Sequence, residues 1–218
     1  MKFMIPFLIA VLPAASVAQS QSGVAPGVLA KDIFNIDMAL GYLVSALCIA
    51  TYLWPRLRAM DRIEAHRAIA TFNSFRFIGL AFLLPGFVGP NLPQGFATPV
   101  AYGDLATALL AILVLLTVRV RRLFWPLVWL LNLVGLADLV NATARAVIVD
   151  LPSVAGQLGA GYAIPMLYVP ALFWTHLLAF WLLLRPEHAA ARVGQLRTET
   201  AEPPDGRARL SPHGSTTA

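Results

Sequence analysis

Five stretches of this chain are apolar for close to the roughly 20 residues that an α-helix needs to cross a hydrocarbon core about 30 Å thick. They run from Ile36 to Trp54, Ala68 to Val88, Val100 to Val118, Leu123 to Asn141 and Ala163 to Leu184. A soluble core has no room for so much apolar surface, since 58% of the 218 residues are hydrophobic and only 12% are charged. Nothing in the chain alternates with period two over the about nine residues that a strand of a membrane barrel requires. Every backbone polar group in lipid needs an internal partner, so helices are the remaining solution. The expected fold is therefore an all-α, polytopic transmembrane helix bundle.

Residues 1–18 carry one positive charge at Lys2, an apolar run from Phe3 to Leu12, Pro13, and small residues at Ser16 and Ala18. That is the anatomy of a cleavable signal peptide. Cleavage leaves five spans and retention gives six, but Pro6 and Pro13 weaken so short a run as a helix. Residues 19–35 then form an external lead and 36–184 the transmembrane domain. Residues 185–218 hold Pro203, Pro204, Gly206, Gly214 and mixed charge, too few apolar groups to fold alone. They are expected to be a disordered cytoplasmic tail.

Orientation follows from the arginines. Arg56, Arg58, Arg62 and Arg67 lie in the first connection, Arg119, Arg121 and Arg122 in the third, and Arg185, Arg192, Arg197, Arg207 and Arg209 in the tail. These three stretches fall on one side, whereas the opposite side carries only Arg145 and Lys31. The positive-inside rule then puts the N-terminus outside and the C-terminus in the cytoplasm of a bacterial inner (plasma) membrane. Tyr52, Trp54, Trp125 and Trp181 mark the cytoplasmic interface, Tyr102 and Tyr162 the external one. The net charge of +5 sits in these flanks and not in a stripe, so nucleic acid is not an expected partner. Cys48 is the single cysteine, which excludes an intramolecular disulfide and a cysteine metal cluster. Small residues four apart, Gly103, Thr107 and Ala111 in the third span and Ala171, Thr175 and Ala179 in the fifth, mark faces that admit close helix approach.

Arg76, Asp104, Asp138 and His176 are ionisable and lie inside the spans, with Asn73 and Asn132 beside them. A charged residue at a helix centre costs roughly 2.5 to 3.5 kcal/mol on insertion, which makes such positions candidates for function. At a rise of about 1.5 Å per residue, Arg76, Asn132 and His176 lie roughly 12 to 14 Å from the cytoplasmic ends of their spans, and Asp104 and Asp138 roughly 21 to 23 Å. Two polar layers emerge, an outer one of carboxylates and an inner one of guanidinium, amide and imidazole. Two carboxylates close together in a low dielectric form a site for a shared proton or a cation. Asp104 lies near a helix N-terminus, which stabilises its charge without a ligand, whereas Asp138 lies near a C-terminus, which does not. Asp138 is thus the strongest single candidate. Arg76 either pairs with these carboxylates as a structural bridge or binds a substrate. The layers are about 9 Å apart in depth, so direct contact requires tilt or a kink, for which Pro85 and Gly86 are available. His176 follows Pro165 and Pro170, and Pro170 leaves the Met166 carbonyl without its usual donor. A hydrogen bond to a neighbouring helix is the first expectation for His176, with a proton relay or haem ligation behind it.

No phosphate loop, nucleophile elbow, zinc-protease helix or repeated histidine boxes occur, which lowers the case for an enzyme and implies no cofactor. The ordered set Arg76, Tyr102-Gly103-Asp104-Leu105-Ala106, Asn132-Leu133-Val134-Gly135-Leu136-Ala137-Asp138 and Pro170 with His176 resembles a family of small, uncharacterised bacterial multi-pass integral membrane proteins. The resemblance covers roughly Arg76 to Leu184 and implies that these polar positions act together.

The expectation is a protein that binds or transports a small solute, an ion or a proton through an intramembrane cavity lined by Arg76, Asp104, Asn132, Asp138 and His176. A structural or assembly subunit of a membrane complex is the second class. A membrane redox or lipid-modifying enzyme is the third. The implied partners are the lipid bilayer, a small solute or proton, and a membrane protein or second copy of the chain.

Overall fold

The computed structural model describes residues 26–185, with side chains from 29 onward. The expected signal peptide, the first part of the external lead and the tail lie outside the described residues. Helix α1 (Pro26–Cys48) passes through a π-turn (Ile49–Leu53) into α2 (Trp54–Ala59). Helix α3 (Arg62–Ser74) tightens into a 3₁₀ segment (Phe75–Leu83), and α4 (Gln94–Leu116) and α5 (Arg121–Ile148) follow. A 3₁₀ segment kinked at Val154 and Gly159 (Leu151–Tyr162) leads through a second π-turn (Ile164–Tyr168) to α6 (Val169–Leu184). No strand occurs among the described residues.

Four stretches are long and apolar enough to cross a membrane: Leu29–Ala59, Gln94–Leu116, Arg121–Ile148 and Ile164–Leu184. Of α1's most apolar window 11% is buried, against 39% in each of the other three. Helix α1 is therefore peripheral, and Ile36, Leu40, Leu43 and Leu47 are all more than half exposed along it. So extensive an apolar surface needs a non-aqueous neighbour.

Helix boundaries depart from the sequence expectation at Pro26, at Pro55 and over Arg62–Arg67. The lead is already helical from Pro26, ten residues before Ile36, because Pro is well placed at the first position of a helix. Arg62 to Arg67, expected in a connection, lie in α3, which Asp61 caps by accepting from the Ile63 N–H at 3.0 Å. Pro55 does not end its helix either, and Pro170 lies inside the last helical run as expected. Each follows a π-turn, in which Trp54 and Val169 donate to carbonyls five residues back, at Ile49 and Ile164. The Met166 carbonyl, which Pro170 leaves without its usual donor, faces Gly41 of α1, where any Cβ would collide with it.

Three apolar clusters form the core. Phe34, Phe82, Phe96, Leu151 and Leu158 gather toward the expected external end. Leu57, Ile69, Leu178 and Leu182 pack together at the other end, beside a third cluster of Val114, Phe124, Val128 and Leu131. The chain between these clusters is where the buried polar side chains fall: Arg76 lies between Ala70 and Phe82, Asp104 between Val100 and Ala111, and His176 between Met166 and Leu178.

Beyond Ile148 the chain is pinned by polar contacts. Lys31 pairs with the exposed Asp150 at 3.0 Å. Gly89 donates to the Gln157 carbonyl at 2.7 Å, and Ala160 donates to the Phe87 carbonyl at 3.1 Å. The Ser153 hydroxyl and Lys31 hold the Asp150 carboxyl below its ordinary range. The Tyr162 hydroxyl donates to Asp37 at 2.8 Å, and burial together with that carboxylate raises its pKa.

Candidate functional site

In a 3₁₀ helix, side chains three residues apart eclipse one another. Arg76, Gly79 and Phe82 therefore form one column, and they are the buried residues of the Phe75–Leu83 segment. The column faces α4. Asp104 on α4 and Asn132, Gly135 and Asp138 on α5 are buried toward the same centre, as is His176 on α6.

Arg76 is fully buried and links all four elements. Its Nε donates to Asp104 Oδ1 at 2.7 Å and one terminal nitrogen to Asp138 Oδ2 at 2.5 Å. The other terminal nitrogen donates to the Gly135 carbonyl at 3.2 Å and lies 3.5 Å from His176 Nε2. The Asn132 amide nitrogen donates to the Val128 carbonyl at 2.7 Å, which leaves Asn132 Oδ1 to accept from His176 Nδ1 at 2.9 Å. That fixes the imidazole as the Nδ1–H tautomer, with the Nε2 lone pair turned toward the guanidinium. Both ring nitrogens are thus engaged within the network.

Three glycines make these contacts geometrically available. A Cβ on Gly79 would overlap the Asp104 carboxylate, one on Gly103 the Asp138 carboxylate, and one on Gly135 the His176 ring. Each polar side chain lies against bare backbone of the neighbouring element. The last turn of α3, which leads into the 3₁₀ segment, is held by Tyr168, whose hydroxyl donates to the Phe72 carbonyl at 2.9 Å.

All five candidate residues meet in this one network. The two layers expected from depth survive as a connected order, with the carboxylates on one side of Arg76 and the imidazole and amide on the other. The expected bridging kink at Pro85 and Gly86 is not the device. Arg76 sits at the head of the 3₁₀ segment, and its long side chain spans both layers. Gly79 and Tyr168 were not anticipated, although a glycine three residues after a buried arginine is a readable signal once the segment is known to be 3₁₀. Asn73 is buried but stands outside the network, donating to the Ile69 carbonyl at 3.0 Å, and its Oδ1 has no partner among the described residues. Thr107, Ala111, Thr175 and Ala179 of the small-residue stripes are buried as expected.

With both carboxylates ionised and the imidazole neutral, the network bears one more negative charge than positive. Asp104 and Asp138 keep 9% and 8% of their side chains accessible, and each has one oxygen outside the guanidinium bonds. Asp104 also lines a cavity of about 220 Å³ whose remaining wall is largely apolar.

A family model described as a domain of unknown function (DUF8737) matches residues 33–184. No curated protein and no solved structure matches the chain.

Proposed function

Because the chain belongs to the DUF8737 family, whose matched stretch contains every member of the polar network, we propose that this network is an intramembrane site for a small solute, an ion or a proton. The single observation that carries the proposal is one buried guanidinium shared by two carboxylates. A bridge needs only one carboxylate. A second leaves uncompensated charge in a low dielectric, a penalty of several kcal/mol per ion even after relaxation. A site that takes up one proton or one small cation removes that imbalance.

The setting we propose is a five-span bundle of the bacterial inner membrane, formed after signal cleavage, with the N-terminus outside and the C-terminus in the cytoplasm. The second span is α3 with its 3₁₀ extension. Thirteen residues at the α rise and nine at the 3₁₀ rise reach about 37 Å, enough for a hydrocarbon core.

A structural bridge is the second reading. It is favoured by the four acceptor contacts of Arg76, which leave little of the guanidinium for a ligand. Thermal stability of the purified protein, measured across pH and a panel of small solutes and cations, separates the two. A stabilisation by one solute or pH range in the wild type that disappears in a normally folded Asp138→Asn variant supports binding. Absence of such stabilisation in the wild type, with strong destabilisation of the single variants and recovery in Arg76→Gln/Asp138→Asn, makes the network a structural bridge.

A further inference from the structure

The cavity beside Asp104 lies off the network itself, between α1, α4, α5 and the turns that precede α6. Phe34, Met38, Phe82, Val100, Ile164 and Val169 are among the apolar side chains of its wall, and Asp104 is its one charged group. Asn35, Thr143 and Val147 lie at the rim and are exposed. Helix α1 packs against the Leu151–Tyr162 segment and α6, and a cleft remains between it and α5. Along that cleft a second cavity, of about 420 Å³, is lined by Tyr42, Leu139, Val140, Ala144 and Phe173 and shares Thr143 with the first. In the proposed membrane setting the cleft lies between two helices whose exposed faces are apolar, which gives a molecule dissolved in the bilayer a route to it.

Size and charge narrow the occupant. At about 220 Å³ the cavity is larger than the about 150 Å³ that accommodates benzene and smaller than the roughly 300 to 1,000 Å³ of sites for drug-sized ligands. One alkyl chain or a small ring fits, and a two-chain lipid does not. A carboxylate at the wall of an otherwise apolar cavity favours a cation that donates hydrogen bonds over an anion. The tail of such a molecule continues along the cleft toward lipid.

We propose that the cavity between α1 and α5 binds a single-chain amphiphile with a protonated amine head, which enters from the bilayer and pairs with Asp104. The proposal rests on the binding role of the polar network, and names the chemistry of one ligand that reaches it.

The test uses the full chain in phosphatidylcholine nanodiscs, with a diazirine-bearing dodecylamine as photolabel and dodecylamine, dodecanol and dodecanoic acid as competitors. Labelling is expected to saturate, to map to residues 34–38 and 143–147, and to be competed by the amine about tenfold or more better than by the alcohol or the acid. Asp104→Asn should erase the amine's advantage. Ala146→Trp, which fills the cavity from a half-buried position on α5 away from the network, should abolish labelling. Equal competition by all three probes, amine preference that survives Asp104→Asn, or labelling that survives Ala146→Trp overturns the proposal. If Asp104→Asn does not fold, the wild-type competition and Ala146→Trp still decide. Ala146→Trp should also retain any solute- or pH-dependent stabilisation of the wild type. A wild type that shows this stabilisation but is not labelled as expected refutes the amine site alone, and a wild type that is labelled as expected but shows no such stabilisation refutes the network reading alone.

Discussion

Replacing Arg76 by Gln removes the only cation among two buried carboxylates and an imidazole. The side chain loses its charge-assisted bonds to Asp104 at 2.7 Å and Asp138 at 2.5 Å, and its donation to the Gly135 carbonyl at 3.2 Å. Breaking a buried ion pair from one side costs about 3 to 5 kcal/mol, because the partner's charge is stranded. Here two partners are stranded, one on α4 and one on α5, so a loss at the upper end, about 5 kcal/mol, is expected. Much of the loss comes from the carboxylates left behind and not from the missing arginine. Arg76→Gln/Asp104→Asn/Asp138→Asn should therefore recover more than half of it, since neutral amides hydrogen-bond to one another at about 1 kcal/mol each. The assay is reversible unfolding in mixed micelles, read by far-ultraviolet circular dichroism with matched controls for expression. A cost below about 1 kcal/mol for Arg76→Gln, the level of an exposed pair, would refute the account. A triple variant no more stable than the single would equally place the energy elsewhere.

Three further outcomes follow from the same coordinates. Gly103→Ala and Gly135→Ala should each lose about 1 to 3 kcal/mol, the usual penalty for overpacking, because the added methyl would occupy the place of the Asp138 carboxylate or the His176 ring; Gly156→Ala, with open space around it, should stay within about 0.5 kcal/mol of wild type in the same unfolding assay. Gly159 holds φ +53° and backs onto the Phe87 carbonyl, so Gly159→Val should cost at least about 1 to 3 kcal/mol and raise amide exchange at Ala160, whose N–H donates to that carbonyl. His66 is buried edge-on to Trp125, so His66→Ala should cost about 2 to 4 kcal/mol in the same assay through the lost ring packing; a cost below about 0.5 kcal/mol would show that the ring adds little to the core.

The helical class was legible because apolar runs of membrane length leave few alternatives, and the five polar candidates were legible because an ionisable residue inside such a run is costly. Their mutual geometry was not. Depth along each span places Arg76 and the two aspartates in separate layers, because it counts backbone positions and leaves out the reach of the arginine side chain, which bridges both. Rotation was equally hidden. Gly103 was read as part of a packing stripe, yet the atoms it admits belong to a carboxylate and not to a helix backbone. The first span's limit fails for a different reason: Pro55 looks like a terminator, but a preceding π-turn carries the chain past it. His66 was assigned to a connection by the charges around it, whereas α3 begins at Arg62 and turns that ring against Trp125.

Asp104 belongs to two environments at once. Its Oδ1 accepts from Arg76, while its side chain forms part of the cavity wall that reaches toward α1. A cation arriving in that cavity competes with Arg76 for the same carboxylate. Any weakening of the Arg76–Asp104 bond leaves the guanidinium more fully committed to Asp138, the Gly135 carbonyl and His176. Occupancy on the α1 side is thereby felt on α5 and α6 without movement of a helix, through redistribution of one arginine's bonds. Coupling of this kind is reciprocal: a proton or cation taken up beside Asp138 reduces its claim on Arg76, strengthens the hold on Asp104 and weakens the cavity's affinity for an amine. Dodecylamine binding should therefore fall when the network takes up a proton or cation, and Asp138→Asn should weaken it too, although Asp138 is not part of the cavity wall. Amine affinity unchanged by Asp138→Asn would mean that Asp104 acts in the cavity independently of the network.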